Sequence, residues 1–348
     1  MTEAEFEAYT DYITDTLLAL LAIDSPTGYT ENAADFVQRE FTALGYVPQR
    51  TVKGGVLVCL GGEREDDGVL LESHVDTLGG MVCKISDSGR LRLSPLGGLE
   101  PNNAEAENVR VVTKFSGAFE GSFQLKDASV HVNGSYHEKA RAFDGMEVVL
   151  DEDVKKADDV RALGISVGDI VCFEPRARVT RSGYIKSRFL DDKLSVAILL
   201  GYAKSLKEQG VVPARRLWVH VTVYEEVGHG GCASVPAGVT EAISVDMGCV
   251  GEDLSCTEKQ VSICAKDSRG PYSYEVVKGL IEAARRVGAD YAVDVYPHYG
   301  SDVEATLSAG ADVRHGLIGA GVYASHGYER SHREGAKNVL KLLIGYLG

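Results

Sequence analysis

The chain has 348 residues and a formal net charge of −15 at pH 7. That length exceeds what one hydrophobic core usually serves, so two domains are expected. The acidic balance excludes the basic surface that a nucleic acid or an anionic membrane would need, and it suits a soluble enzyme.

From Glu3 to Leu21, Phe6, Tyr9, Ile13, Leu17 and Leu20 recur at helical spacing. The turn SPTG (Ser25 to Gly28) separates them from a second amphipathic stretch, NAADFVQREFTALG, so two helices open the chain. GVLLESHVD (Gly68 to Asp76) begins as an apolar run typical of a strand buried on both faces and ends in polar residues. Between about Cys83 and Tyr184 the texture changes to short alternating pieces such as KISDSGRLRLSP, NVRVVTKF and GSFQL, with glycine turns and one brief helical stretch. This predicts a small β-rich barrel or sandwich, residues 84–183, inserted between two parts of another domain, 1–83 and 184–348.

After the insert, helix and strand patterns alternate: LDDKLSVAILLGYAKSLKEQG helical, RLWVHVTVY strand, EAISVDMG strand, SYEVVKGLIEAARRVG helical, VRHGLIGAGVY strand and a last helix near EGAKNVLKLLIGYL. Such alternation predicts an α/β fold, a mixed sheet with helices on both faces. The start, MTEAEFEAYTDY, is acidic where a signal peptide is basic, and no apolar run reaches the length of a membrane span. Seven cysteines are odd in number and never form a C-x-x-C pair, which argues against a disulfide framework or a thiolate zinc site and for a reducing cytoplasm.

The polar residues at strand ends carry the chemistry. His74 and Asp76 follow VLL, Asp191 and Asp192 open the helix after the insert, Glu225 and Glu226 end WVHVTVY, Asp246 ends AISV, and His326 follows LIGAGVYAS. Sheets of this class bind ligands at the carboxyl ends of their strands. Imidazole and carboxylate groups without thiolate are the donor set of a zinc, cobalt or manganese hydrolase. The H-x-D spacing suits a metal-binding histidine whose second ring nitrogen is held by a carboxylate.

The motifs HVDTLGGMV, SDSGRLRLSPLGG, ALGISVGDIV, FLDDK, YEEVG, SVDMG and GSDVEA, spread over nearly the whole chain, resemble the tetrahedral (deblocking) dinuclear aminopeptidases, a family that includes glutamyl and leucyl aminopeptidases. The resemblance implies a zinc-peptidase-like fold with an inserted β-barrel dimerisation domain. It implies two divalent metal ions, zinc first and cobalt or manganese as alternatives. His74, Asp191 and Asp246 would surround one ion and Asp191, Glu226 and His326 the other, with Asp191 bridging. Glu225 would be the general base, and Asp76 would orient His74. The implied substrates are short peptides with a free N-terminus, and the implied assembly is a homo-oligomer, a dimer at least and a dodecamer in full. His332 is the alternative to His326 as last ligand.

Adjacent residues of an extended chain point to opposite sides, so Glu226 is expected to face a metal while Glu225 turns to the attacking water. Rival readings are a related carboxypeptidase or amidohydrolase, a glycosidase and a metal-binding protein without catalysis. In the first, family comparison implies an extra domain after the glutamate pair. A glycosidase leaves His74, Asp76, Asp246 and His326 without a purpose. Trp218 reads as core, His220 and His229 as bystanders, and Arg215 and Arg216 as solvated. Arg188, Lys193, Arg269 and Arg330 lie beside site motifs and could favour an acidic first residue or merely pair with the chain's many carboxylates.

Overall fold

The computed structural model describes all residues, Met1–Gly348, and divides into two compact units, Met1–Asp76 with Arg176–Gly348 and Thr77–Pro175. The second unit begins a little before the expected residue 84, because Gly79–Ile85 is already one of its strands.

In the larger unit, four strands lie side by side and parallel: Arg215–Thr222, Arg64–His74, Val239–Val245 and Arg314–Tyr323. Val69, Leu70 and Leu71 are fully buried, as are Val219, Val221 and Ile243, which is the signature of strands covered on both faces. Around this parallel centre the sheet becomes mixed. Val56–Gly61 runs antiparallel to Arg215–Thr222, and Val261–Lys266 runs antiparallel to Arg314–Tyr323 while pairing parallel with Tyr291–Val295. Helix Leu190–Gln209 packs on helices Glu3–Leu21 and Arg333–Leu347, burying Ile13, Leu17, Val196 and Leu340. The expected α/β mixed sheet with flanking helices is therefore found.

The second unit contains a closed antiparallel barrel of six strands: Gly79–Ile85, Leu91–Leu96, Met146–Leu150, Ala118–Leu125, Glu107–Val112 and Ile170–Phe173. Alternate residues point inward, so Val109, Val111, Phe123 and Val148 are buried, with Phe123 edge-on to Phe173 at 5.5 Å between centroids.

No helix is long and apolar enough to cross a membrane. Arg215, expected to be solvated, is instead half-buried between Asp67 and Glu241, at 3.2 and 3.1 Å. Its strand start lies beside theirs, and the guanidinium links three chain segments.

Candidate active site

Every part of the site grows from the carboxyl end of one of the four parallel strands or from the start of helix Leu190–Gln209. His74 closes strand Arg64–His74, Glu225 and Glu226 follow Arg215–Thr222, Asp246 follows Val239–Val245, and His326 follows Arg314–Tyr323. Because those strands are neighbours in register, Thr222 beside His74 and Val245 beside Ile318, residues far apart in sequence arrive at one edge.

Two triads result. Ligand atoms of His74, Asp191 and Asp246 lie within 4.8 Å of one another, as do those of Asp191, Glu226 and His326, so Asp191 belongs to both. His74 Nε2 stands 3.1 Å from Asp191 Oδ1, and His326 Nε2 stands 3.5 Å from Asp191 Oδ2 and 3.6 Å from Glu226 Oε2. Glu225 lies outside both triads but close by, its Oε2 3.6 Å from His74 Nε2. His332 does not join them. Its Nδ1 accepts the Glu334 amide at 3.0 Å, capping the last helix, and its Nε2–H donates to Ser182 O at 2.8 Å.

The backbone is bent to make this gathering. Phe189, Tyr224, Ala324 and His326 have φ of 68, 71, 59 and 61°, a left-handed region costly for residues with a side chain, and each adjoins or belongs to the constellation. The Asp191–Asp192 peptide bond is cis. Glu225 and Glu226 are not extended, as expected from the strand before them, but lie in a single 3-10 turn, Glu225–Val227. The reason is Asp76, whose Oδ1 accepts the Glu225 amide at 3.1 Å and whose Oδ2 accepts the Glu226 amide at 3.4 Å and the Thr27 hydroxyl at 2.7 Å. Asp76 does hold His74, but chiefly with its backbone carbonyl, which accepts the Nδ1–H at 2.9 Å. Its carboxylate is 3.6 Å from that nitrogen.

Two further carboxylates complete the frame. Asp192 Oδ2 accepts the Ser73 hydroxyl at 2.5 Å and the His74 amide at 3.3 Å. Glu329 accepts the Asp191 amide at 3.1 Å and the His326 amide at 3.0 Å, tying Asp191, the residue common to both triads, to His326. The E in YERSH has no local signal for this role.

Electrostatically the site wants cations. Burial, and then repulsion from Asp191, pushes the carboxyls of Glu226 and Asp246 up, the latter to about 6. Burial likewise raises Glu225 well above the usual carboxylate range, with Asp246 and Asp302 adding to it and His74 opposing. Burial disfavours a charged His326, yet Asp191 and Glu226 outweigh it and raise the imidazole to about 10. His74 behaves in the same way against Glu225, Asp191 and Asp76. Despite burial, Asp191 between two imidazoles is held well below the ordinary range. A buried set of oxygen and imidazole donors with mutually repelling carboxylates, and without thiolate, fits borderline divalent cations.

The carboxylates line a cavity of about 500 Å³. Met247, Arg269, His298, Tyr299 and helix Asp302–Ser308 also line it. Of the four cationic residues singled out in the sequence, Arg269 alone lines it. Lys193 is buried with its ammonium donating to Leu20 O at 3.1 Å and Ile23 O at 2.6 Å, and Arg330 pairs with Glu258 and lies over the Tyr184 ring. Arg188 is buried. His220 is buried in the sheet, 3.8 Å from Glu72, and His229 stacks on Tyr224, so neither reaches the triads. Trp218 packs partly buried against the core.

The model of a family described as M42 glutamyl aminopeptidase matches residues 54–342. YhfE of Bacillus subtilis (strain 168), a protein named as an aminopeptidase, is 38% identical over 328 residues, 94% of this chain and 95% of that one. Among solved structures, a TET aminopeptidase from a marine-sediment Thaumarchaeota archaeon superposes with a TM-score of 0.87 at 17% identity, covering 97% of this chain and 96% of its own. The Pyrococcus horikoshii TET1 peptidase, described as able to assemble into a tetrahedron or a large octahedral shell, gives 0.83 at 21%, covering 96% and 98%. At these identities the structural likenesses show the fold.

Proposed function

The chain belongs to the M42 glutamyl aminopeptidase family, and from that premise we propose that it removes N-terminal residues from short peptides at a pair of divalent cations, with Glu225 as general base. His74, Asp191 and Asp246 would hold one ion, and Asp191, Glu226 and His326 the other. The observation that carries this reading is the shared carboxylate: Asp191 stands in both triads, with Glu225 beside them and free of both. When bound, two cations, zinc first and cobalt or manganese as alternatives, would supply Lewis acidity, making a water acidic and drawing charge from a scissile carbonyl; aminopeptidases are among the general examples of such two-metal chemistry.

The chain's own residues do the rest. Glu225 lines the cavity and is held in place by its amide on Asp76, so its carboxylate takes a proton from the attacking water and returns it to the departing amine. Burial and neighbouring carboxylates raise its affinity for that proton. Asp76 fixes both the glutamate turn and the His74 ring, and Glu329 fixes Asp191 and His326. A wall of carboxylates favours a free α-amine, with its several N–H donors and its capacity for positive charge, over an acylated one that keeps a single neutral N–H, which selects the N-terminus.

The barrel unit, expected as residues 84–183, is the proposed dimerisation module of a homo-oligomer, a dimer at least and a dodecamer in full. The assembly of the Pyrococcus relative supports it. Seven free cysteines support a reducing, cytoplasmic setting. The test is a short peptide against its N-acetylated form under zinc, cobalt and manganese. Only the free form should lose its first residue. Equal hydrolysis of both, or release of the C-terminal residue first, would promote the carboxypeptidase reading.

A further inference from the structure

Helix Asp302–Ser308, which opens in the GSDVEA motif, has two faces with different work. Ser301, Glu304, Ala305 and Ser308, at helical spacing, line the cavity. Asp302 and Thr306, one turn apart, face away from it and are buried. Asp302 Oδ1 accepts the Gly231 amide at 2.6 Å, and its Oδ2 accepts the Thr222 hydroxyl. The Thr306 hydroxyl sits among three acceptor oxygens, Glu72 Oε1 at 2.9 Å, Glu72 Oε2 at 2.8 Å and Gly231 O at 2.8 Å.

Thr222 and Gly231 are the two ends of the loop that carries Glu225 and Glu226. The helix therefore clasps that loop at both ends through buried bonds. The fit requires glycine: a Cβ on Gly230 would stand 2.2 Å from Asp302 Oδ1, and one on Gly231 would stand 2.4 Å from Asp302 O. The helix is itself anchored, with Val303 in the hydrophobic core and its amide donating to Ser244 Oγ at 3.0 Å, on the strand that leads to Asp246.

We propose that Asp302 and Thr306 are positioning residues that hold the glutamate loop, and that the helix bearing them links occupancy of the cavity to the placement of Glu225. A side chain seated against Ser301, Glu304, Ala305 or Ser308 presses on the same short rigid element whose other face sets the loop ends. The inference rests on Glu225 being the base, and it adds a route by which the bound N-terminal residue tunes turnover rather than binding alone.

Thr306→Ala and Thr306→Ser in the full-length, metal-loaded protein test it, with Thr222→Val removing the hydroxyl at the other anchor. Misplacement of a base by an ångström or less lowers kcat, so the alanine and valine variants should lose between about 10- and 100-fold in kcat with KM little changed, and serine should restore turnover. In the metal-free protein the same two variants should speed amide hydrogen exchange across residues 223–231 without speeding it in the barrel strands. Native kcat and native exchange at 223–231 in a folded Thr306→Ala protein would overturn the clasp. So would equal exchange increases throughout the chain, which mark general loosening. Activity of Glu225→Gln, measured alongside, separates the outcomes: if that variant keeps full turnover the base assignment fails, whereas the exchange result still decides whether the clasp exists.

Discussion

Removing divalent cations should make the folded chain sensitive to alkali. Asp246, Asp302, Glu329 and His326 have pKa values raised to about 6, 7, 8 and 10, chiefly by burial and like charge for the carboxyls and by Asp191 and Glu226, against burial, for the imidazole. In each, the native state holds its proton more tightly than the unfolded chain, so stability is lost as pH rises from the ordinary value towards the raised one. Asp191 acts in the opposite sense, but only in acid, below its ordinary 3.8. Between pH 6 and 8 Asp302, Glu329 and His326 therefore destabilise with rising pH, whereas the contribution of Asp246 is mostly lost below that window. Glu329 acts directly on His326, so losing the glutamate's proton strengthens the imidazole's hold on its own; one net proton across this window gives about 1.4 kcal/mol per pH unit, or about 3 kcal/mol in all.

Metal-loaded protein should show the reverse trend in its gain over the stripped form, because cations compete with those protons. At a thousandfold excess over Kd the gain is about 4 kcal/mol per site. Urea unfolding of chelated and reloaded protein at pH 6, 7 and 8, at one protein concentration, measures both. Equal stability of the chelated protein at pH 6 and pH 8, or a metal gain that does not grow with pH, would refute the reasoning.

Further predictions concern single parts. Asp76→Ala removes the acceptor of two amides and the Thr27 hydroxyl, so kcat should fall at least about tenfold through loss of the glutamate turn; unchanged kcat in a folded variant would contradict that role. Lys193→Met leaves the Ile23 carbonyl without its ammonium donor and should lower the unfolding free energy by about 1–3 kcal/mol, read by denaturant titration. Light scattering should report a homo-oligomer, and an active monomer at every concentration would exclude the proposed assembly.

Much of the site is legible because strand ends announce themselves. His74, Asp246 and His326 each follow an apolar run, and parallel neighbours bring such ends together. What escapes is whatever depends on a partner far along the chain. The glutamate pair curls into a turn because of Asp76, about 150 positions earlier. Glu329, Asp302 and Thr306 are ordinary surface types in the sequence, buried here only because two or three segments converge on them. Lys193, two positions after Asp191, reads as a substrate contact or as a partner of the chain's carboxylates, and is neither, because its ammonium donates to backbone carbonyls at the end of the first helix. Strands Val261–Lys266 and Tyr291–Val295 are too short and too mixed in character to stand out, and only pairing with Arg314–Tyr323 and with each other makes them strands.

On the proposed mechanism Glu225 moves the proton while other residues hold the metals. Metal content and peptide turnover of Glu225→Gln measure both parts together. Two bound ions per chain are expected, as in the unaltered protein, with turnover reduced by at least about 10²-fold, the lower range for loss of a general base. A fully metallated Glu225→Gln protein that still turns over peptides at close to the original rate would contradict it.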